Sequence, residues 1–143
     1  MIYFDRTANE LEKKAAKTAG GLYNPADIEP GILQTIDYQY PKRAVTVELT
    51  SDEFTCVCPF SGLPDFAFLT ISYLPRKKLV ELKSLKYYLY AFRGVKIYNE
   101  HAANKILGDL VKVLKPRALT VTAEFTVRGG MANKVTASYK ASR

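Results

Sequence analysis

Hydrophobic and polar positions alternate from Ala44 to Thr50, with Val45, Val47 and Leu49 on one side and Thr46, Glu48 and Thr50 on the other. That two-residue period predicts a half-buried strand. From Phe66 to Leu74 both faces carry bulk, with Ala67, Leu69, Ile71 and Tyr73 opposing Phe66, Phe68, Thr70 and Ser72, so a second, more buried strand is expected. From Leu79 the period changes. Leu82, Leu85, Leu89 and Phe92 recur at three- and four-residue steps, which predicts a helix that Gly94 ends. A second helix is predicted over Asn99 to Leu114, with Ala103, Ile106, Leu107, Leu110 and Leu114 on its inner stripe and Pro116 stopping it. Alternation returns at Leu119, Val121, Ala123, Phe125 and Val127, and again from Met131 to Tyr139 beyond Arg128-Gly129-Gly130, which is the pattern of a β-hairpin. The order is ββααββ: an α+β fold with an antiparallel four-stranded sheet and two helices on one face.

Residues 1–42 are less regular. A helix is predicted from Thr7 to Thr18, where Thr7 and Glu10 have capping-box spacing and Gly20-Gly21 follow as a stop. Pro25, Pro30, Gly31 and Pro41 then punctuate an extended arm, packed on the domain or on a neighbouring subunit. A chain of 143 residues predicts one domain over 1–143 with a real core, and 48% hydrophobic residues against 24% charged excludes the disordered, collagenous and coiled-coil classes. The net charge of +7 favours an anionic partner without saying which. No apolar run is long enough for a membrane span, and Met1 to Arg6 lacks the basic head and apolar stretch of a secretory leader, so a soluble, cytoplasmic protein is expected.

Two cysteines and one histidine, His101, cannot complete a four-ligand structural zinc site, and no metal is expected. Cys56 and Cys58 fall between the first two predicted strands and read either as small core residues or as reactive thiols. Cys58 is the better nucleophile candidate, because Pro59 and Gly62 favour a turn that exposes its sulfur. Asp65 enters an apolar strand, where desolvation favours the proton-donating form; it reads equally as a turn-initiating residue. Lys83, Lys86, Tyr87 and Tyr90 share a helix face that suits a phosphate beside a flat ring, or is simply solvated. Arg128-Gly129-Gly130 reads as a tight turn or as an anion cradle. Glu100 opens the second helix, where a carboxylate either complements the helix dipole or accepts two N–H bonds from a purine-like base. Neither a Gly-x-Gly-x-x-Gly nor a Walker sequence occurs.

The stretch Glu81-Leu82-Lys83-Ser84-Leu85-Lys86-Tyr87-Tyr88 resembles the signature of the 7-cyano-7-deazaguanine reductases, the NADPH-dependent nitrile reductases of queuosine biosynthesis. The resemblance extends through Phe54-Thr55-x-x-Cys58-Pro59, Pro64-Asp65-Phe66-Ala67, Phe92-Arg93, Glu100 and Phe125-Thr126-x-Arg128-Gly129-Gly130, covering about residues 44–131 in order. It implies the tunnelling fold, with Cys58 rather than Cys56 as the nucleophile that forms a thioimide with the nitrile, and Asp65 as proton donor. Glu100 is implied to hold the guanine-like edge, with Glu81, Ser84, Asn99 and His101 as further substrate contacts. Lys83, Lys86, Arg128 and Gly129 are implied to bind NADPH. Where many members have His before the substrate-binding Glu, this chain has Asn99. The compact unit is similar to the short form of the family, which implies a homo-oligomer of two facing pentamer rings with sites at subunit boundaries, and no need for nucleic acid or membrane. Two other readings stand beside it. One is a tunnelling-fold enzyme that hydrolyses a purine or pterin; the other is a basic RNA-binding module.

Overall fold

The computed structural model describes residues 6–143, with side chains from Glu10 onward. Met1 to Asp5 and the Thr7 side chain, on which the leader and capping-box readings bear, lie outside the described residues. Helix α1 (Arg6–Ala16) is followed by a 3-10 turn at Pro25–Asp27 and strand β1 (Thr35–Asp37). Strands β2 (Val47–Val57), β3 (Pro64–Leu74) and β4 (Lys78–Val80) lead to helix α2 (Leu82–Tyr90), which continues as a 3-10 turn through Gly94. Helix α3 (Asn99–Leu114) and the hairpin β5 (Ala118–Arg128) and β6 (Met131–Lys140) complete the chain. The main sheet is antiparallel in the order β2-β3-β5-β6, and β1 pairs with β4 in a small second sheet. The expected tunnelling-fold unit is therefore present. Among the described residues no helix is long and apolar enough to cross a membrane.

Helices α2 and α3 cover one face of the sheet. Leu69, Ile71, Val121 and Ala123 from the strands meet Leu85, Tyr88, Ile106 and Leu110 from the helices, and all are buried. Phe92 stands edge-on to Tyr88 and tilted against Phe54, at centroid distances of 5.4 and 5.3 Å, so the helical layer and β2 share one aromatic cluster. Four apolar positions differ from the sequence reading. Leu79 lies in β4, before the helix, and Leu82 is exposed, because the inner stripe of α2 passes through Leu85, Tyr88 and Leu89 instead. Phe66 and Phe68 are half exposed on the sheet face away from the helices, so β3 is buried on one face only.

Two bulges set which way the strand ends point. Between Ser51 and Phe54, β2 carries one more residue than β3 opposite it. An extra residue resets strand alternation. Val47, Leu49 and Ser51 therefore pair with the inward-facing Tyr73, Ile71 and Leu69, yet beyond the bulge Phe54 and Cys56 take over that face, opposite Ala67 and Asp65. The same happens between Phe125 and Arg128 in β5, which leaves Val127 exposed, contrary to the sequence pattern. The first predicted strand thus continues through the bulge to Val57, and Cys56 is inside it instead of in a connecting loop.

The arm after α1 packs on the domain. Ile28, Ile32 and Leu33 join the core, and the buried Thr18 hydroxyl donates to the Ala91 carbonyl. The Tyr23 N–H donates to Gly94 at 2.7 Å and Lys96 returns a bond to the Tyr23 carbonyl at 2.8 Å. A Cβ on Gly94 would stand 2.6 Å from the Gly21 carbonyl oxygen and closer still to that of Thr18. Gly94→Ala is accordingly expected to destabilise the fold by about 1–3 kcal/mol, as overpacking does; urea denaturation at equilibrium checks this, and an unchanged midpoint would contradict the tight arm contact.

Candidate active site

The end of β2 is held from both sides. Val57 pairs with β3 on one side, and on the other its N–H donates to Val95 and its carbonyl accepts from Ile97, at 2.9 and 3.0 Å. Cys58 comes next, partly exposed, where the chain turns back through Pro59-Phe60-Ser61-Gly62. Its N–H donates to the Leu63 carbonyl and its own carbonyl accepts from Gly62, both at 2.9 Å. Hydrogen bonds from the Ser61 hydroxyl, then from the backbone N–H groups of Ser61 and Phe60, hold the Cys58 thiol below its ordinary range, against opposing contributions from burial and the Asp65 charge. Cys56 is the opposite case. Burial first, then the charges of Asp65 and Cys58, push its thiol up to about 12.

Asp65 is the second residue of β3 and pairs across the sheet with Cys56. Its side chain is only 13% exposed, and Arg128 reaches it from the end of β5, with Nη1 at 3.3 Å from Oδ1 while Nη2 donates to the Pro64 carbonyl. Gly129 and Gly130, with φ of 54° and 76°, make the two-residue turn that brings β6 back, and a Cβ on either would meet open space. The backbone conformation alone therefore requires these glycines. Because Ile97 is fixed beside Val57, α3 starts two residues later at the same end of the sheet, with Asn99 and Glu100 in its first turn. Glu100 is exposed and Asn133 of β6 lies 3.5 Å from its Oε1. Asn99 Oδ1 is buried without a hydrogen-bond partner among the described residues. His101 is exposed and stacks edge-on against Tyr98.

The remaining candidates sit at the start of α2. Glu81 is the N-cap of that helix, accepting from the Lys83 and Ser84 N–H groups at 2.9 and 2.7 Å. Ser84 is fully buried; its hydroxyl donates to the Glu81 carbonyl and accepts from Gln34 in the arm. Both side chains thus carry structural duties that the sequence did not announce. Lys83 and Lys86 have no carboxylate within ion-pair distance among the described residues, and Lys86 Nζ lies over the Tyr87 ring. Lys86, Tyr90, Leu82 and Leu85 line a groove of about 350 Å³ against Leu49 and Phe54 of β2. A phosphate and a flat ring would find cations and apolar surface there, so these residues fit a nicotinamide dinucleotide. Within one chain the groups separate: Cys58, Asp65, Arg128, Asn99 and Glu100 at one end of the sheet, and Glu81, Lys83, Ser84 and Lys86 about 13 Å of helix away from the turn that leads to Val95. No cluster of three or more metal-ligating side chains occurs among the described residues.

A family model described as QueF-like protein matches residues 64–143. The chain belongs to that family. It is 50% identical over 119 residues to the NADPH-dependent 7-cyano-7-deazaguanine reductase of Caldanaerobacter subterraneus subsp. tengcongensis, covering 83% of this chain and 89% of that one. Against the protein of the same name from Chloroherpeton thalassium it is 49% identical over 116 residues, 81% of this chain and 100% of that one. The crystal structure of the archaeosine synthase QueF-Like in the apo form superposes with a TM-score of 0.60 at 22% identity, covering 70% of this chain and 96% of that chain, which establishes the shared fold.

For a QueF-like protein, the sequence reading left out Ser61, although a hydroxyl three residues beyond a cysteine in a Pro-x-x-Gly turn is a recognisable signal. It also left out Asn133, which only the hairpin register brings to Glu100. The two thiols should separate chemically. Brief iodoacetamide treatment of the native protein at neutral pH is expected to alkylate Cys58 and spare Cys56, with both labelled after denaturation; peptide mass spectrometry reads the result, and native labelling of Cys56 would contradict its burial.

Proposed function

We propose that this chain reduces the nitrile of 7-cyano-7-deazaguanine to the aminomethyl group with two NADPH, as a step of queuosine biosynthesis, through a thioimide on Cys58. The observation that carries the reading is a thiol held below its ordinary range beside a shielded carboxyl, at the end of a sheet in a chain half identical to reductases of that name.

The chemistry is set by those side chains. The Cys58 thiolate adds to the nitrile carbon while Asp65 gives a proton to the nitrogen, leaving a C=N bond and a new C–S bond. NADPH, when bound, supplies hydride to that carbon. With the first hydride and a second proton the carbon becomes tetrahedral; the nitrogen lone pair then expels the sulfur, freeing Cys58 and leaving an iminium. A second hydride completes the amine. One nitrile, two hydrides and two protons are consumed, and Asp65 regains its proton from solvent between deliveries. Arg128 holds the Asp65 carboxyl in place, and its exposed guanidinium is also open to a phosphate, which competes with a carboxylate for the same N–H groups. Asn99 offers a buried acceptor without a partner among the described residues, the kind of group a ligand N–H satisfies, and Glu100 beside it presents a carboxylate. Lys83 and Lys86 hold cofactor phosphate.

The reading includes a second copy of the chain. The β2 and β6 edges of the sheet are free over most of their length, among the described residues, and Phe66 and Phe68 stand half exposed between them on the uncovered face. Edge pairing between copies would satisfy the free backbone groups of both edge strands and close the sheets into a ring.

Purified protein given a known amount of 7-cyano-7-deazaguanine is expected to oxidise two NADPH per nitrile, followed by the loss of reduced-nicotinamide absorbance. Cys58→Ala should abolish this and Cys56→Ala should largely preserve it. No oxidation by folded, oligomeric wild type would refute the reductase reading, and equal loss in both variants would remove the choice of Cys58.

A further inference from the structure

The net charge of +7 is not spread evenly over the molecule. At the end of the sheet opposite Cys58 four segments meet: 41–46 before β2, 75–80 after β3, 112–117 from the last turn of α3 to β5, and 139–143 at the end of β6. Together they hold ten of the chain's 21 Lys and Arg residues and no Asp or Glu, and all ten are exposed. Hydrogen bonds join the segments. The Arg117 N–H donates to Leu74 and the Ala141 N–H to Arg117, both at 2.9 Å, while Arg117 Nη2 donates to the Pro41 carbonyl at 3.2 Å. Asp37 pairs with Lys78 at 2.6 Å, and among the described residues no other cation of these segments has a carboxylate within ion-pair distance.

Two side chains at this end are not explained by the fold. Lys115 closes α3 in the left-handed conformation, with φ of 45°, where glycine is the usual residue and a side chain is strained. A cation there complements the helix dipole, but Lys112 already supplies one in the last turn without strain. Lys115 instead lines, with Arg76, Lys77 and Lys78, a groove of about 350 Å³. Tyr40 is the second: it is 57% exposed, and its carbonyl accepts the Arg43 N–H at 2.9 Å in a tight turn that sets the Arg43 guanidinium 5.0 Å from its ring centre. Tyr38 packs edge-on against Tyr40 and donates its N–H to the Lys77 carbonyl at 2.9 Å, so an exposed aromatic face is tied to the cations of the groove.

We propose that this end of the sheet binds single-stranded nucleic acid, with backbone phosphates on Arg76, Lys77 and Lys115 and a base stacked on Tyr40. Cations spread over four segments match a run of phosphates, and an exposed ring among them matches a base, which neither bare polyphosphate nor a lipid headgroup provides. The surface is separate from the proposed reductase site, because β3 puts about 30 Å between Asp65 and Leu74.

The test is fluorescence anisotropy of a labelled twelve-nucleotide oligouridylate with the full chain. Three phosphate contacts predict that affinity falls about twentyfold between 50 and 200 mM salt. The double variant Arg76→Ala/Lys77→Ala should bind at least tenfold more weakly at low salt and lose more than half of that salt dependence, whereas Lys13→Ala/Lys134→Ala, which removes the same charge elsewhere, should bind as wild type does. Tyr40→Leu should weaken binding about fivefold or more with its salt dependence intact, as loss of a stacked base does. Lys115→Gly removes charge and backbone strain together, so the roughly threefold weakening expected of it cannot come from a disturbed fold. No binding at 50 mM salt, equal loss in the two double variants, or wild-type affinity in Tyr40→Leu would overturn the inference. Competition by inorganic polyphosphate or by phosphatidylserine vesicles as effective as that of unlabelled oligonucleotide, at equal phosphate, would overturn it too.

Discussion

The extra residue in β2 between Ser51 and Phe54 is the constraint on which the site depends. Without it, continuous alternation from Val47 and Leu49 would put Thr55 and Val57 on the helix-facing side and turn both thiols to the other face. The residue on its far side holds the bulge in place. Phe54 is buried against Phe92, and full burial of such a ring contributes about 1.5–3 kcal/mol relative to exposure. That is enough to outweigh the lost ladder bond of a bulge, about 1 kcal/mol net. The aromatic cluster of the core thereby decides on which face the sulfur of Cys58 emerges. A second bulge in β5 does the same for Arg128, so the strands on either side of β3 are both reset at their ends and converge on Asp65.

The rest of the site is positioned from behind. The segment Val95 to Ile97 runs beside the end of β2, and its hydrogen bonds to Val57 fix where α3 begins, hence where Asn99 and Glu100 stand. That segment is itself clamped by the arm, through Thr18 on Ala91 and Tyr23 on Gly94 and Lys96. A similar latch joins Gln34 to Ser84 and Glu81 at the head of α2. Residues 18–34, which carry none of the candidate chemistry, thus fix both helix starts that do.

Much of this was legible in the chain because periodicity reports burial directly. Helix α3 runs over the residues that its apolar stripe and Pro116 indicate, β5 extends its pattern by a residue at each end, and β6 extends its pattern by one residue at its C-terminal end. What alternation cannot display is a bulge: the residues on each side still alternate, and only pairing with β3 shows that one is extra. The first strand therefore reads as ending near Thr50, and Cys56 as a loop residue. Strands β1 and β4 have three residues each, too short for any period to register. Glu81 and Ser84 read as ligand contacts because the motif names residue types; the cap that Glu81 makes is local to α2, and the latch of Ser84 to Gln34 needs the arm in place. The candidate residues at the Cys58 end are close neighbours in the fold although spread over 58–128, while those on α2 stay apart from them.

Asn99 sharpens the chemistry expected of that end. A carboxamide can orient a ligand through its buried oxygen but takes no part in proton transfer near neutral pH, and His101, two residues further along α3, is directed to Tyr98 and solvent. In the proposed reaction acid–base work then falls to Asp65, the shielded carboxyl that Arg128 fixes in position. In that reaction Cys58 and Asp65 act on the two ends of one C–N bond, sulfur on the carbon and proton on the nitrogen, so both side chains are needed at the same end of the sheet, where the reset ends of β2 and β5 flank β3.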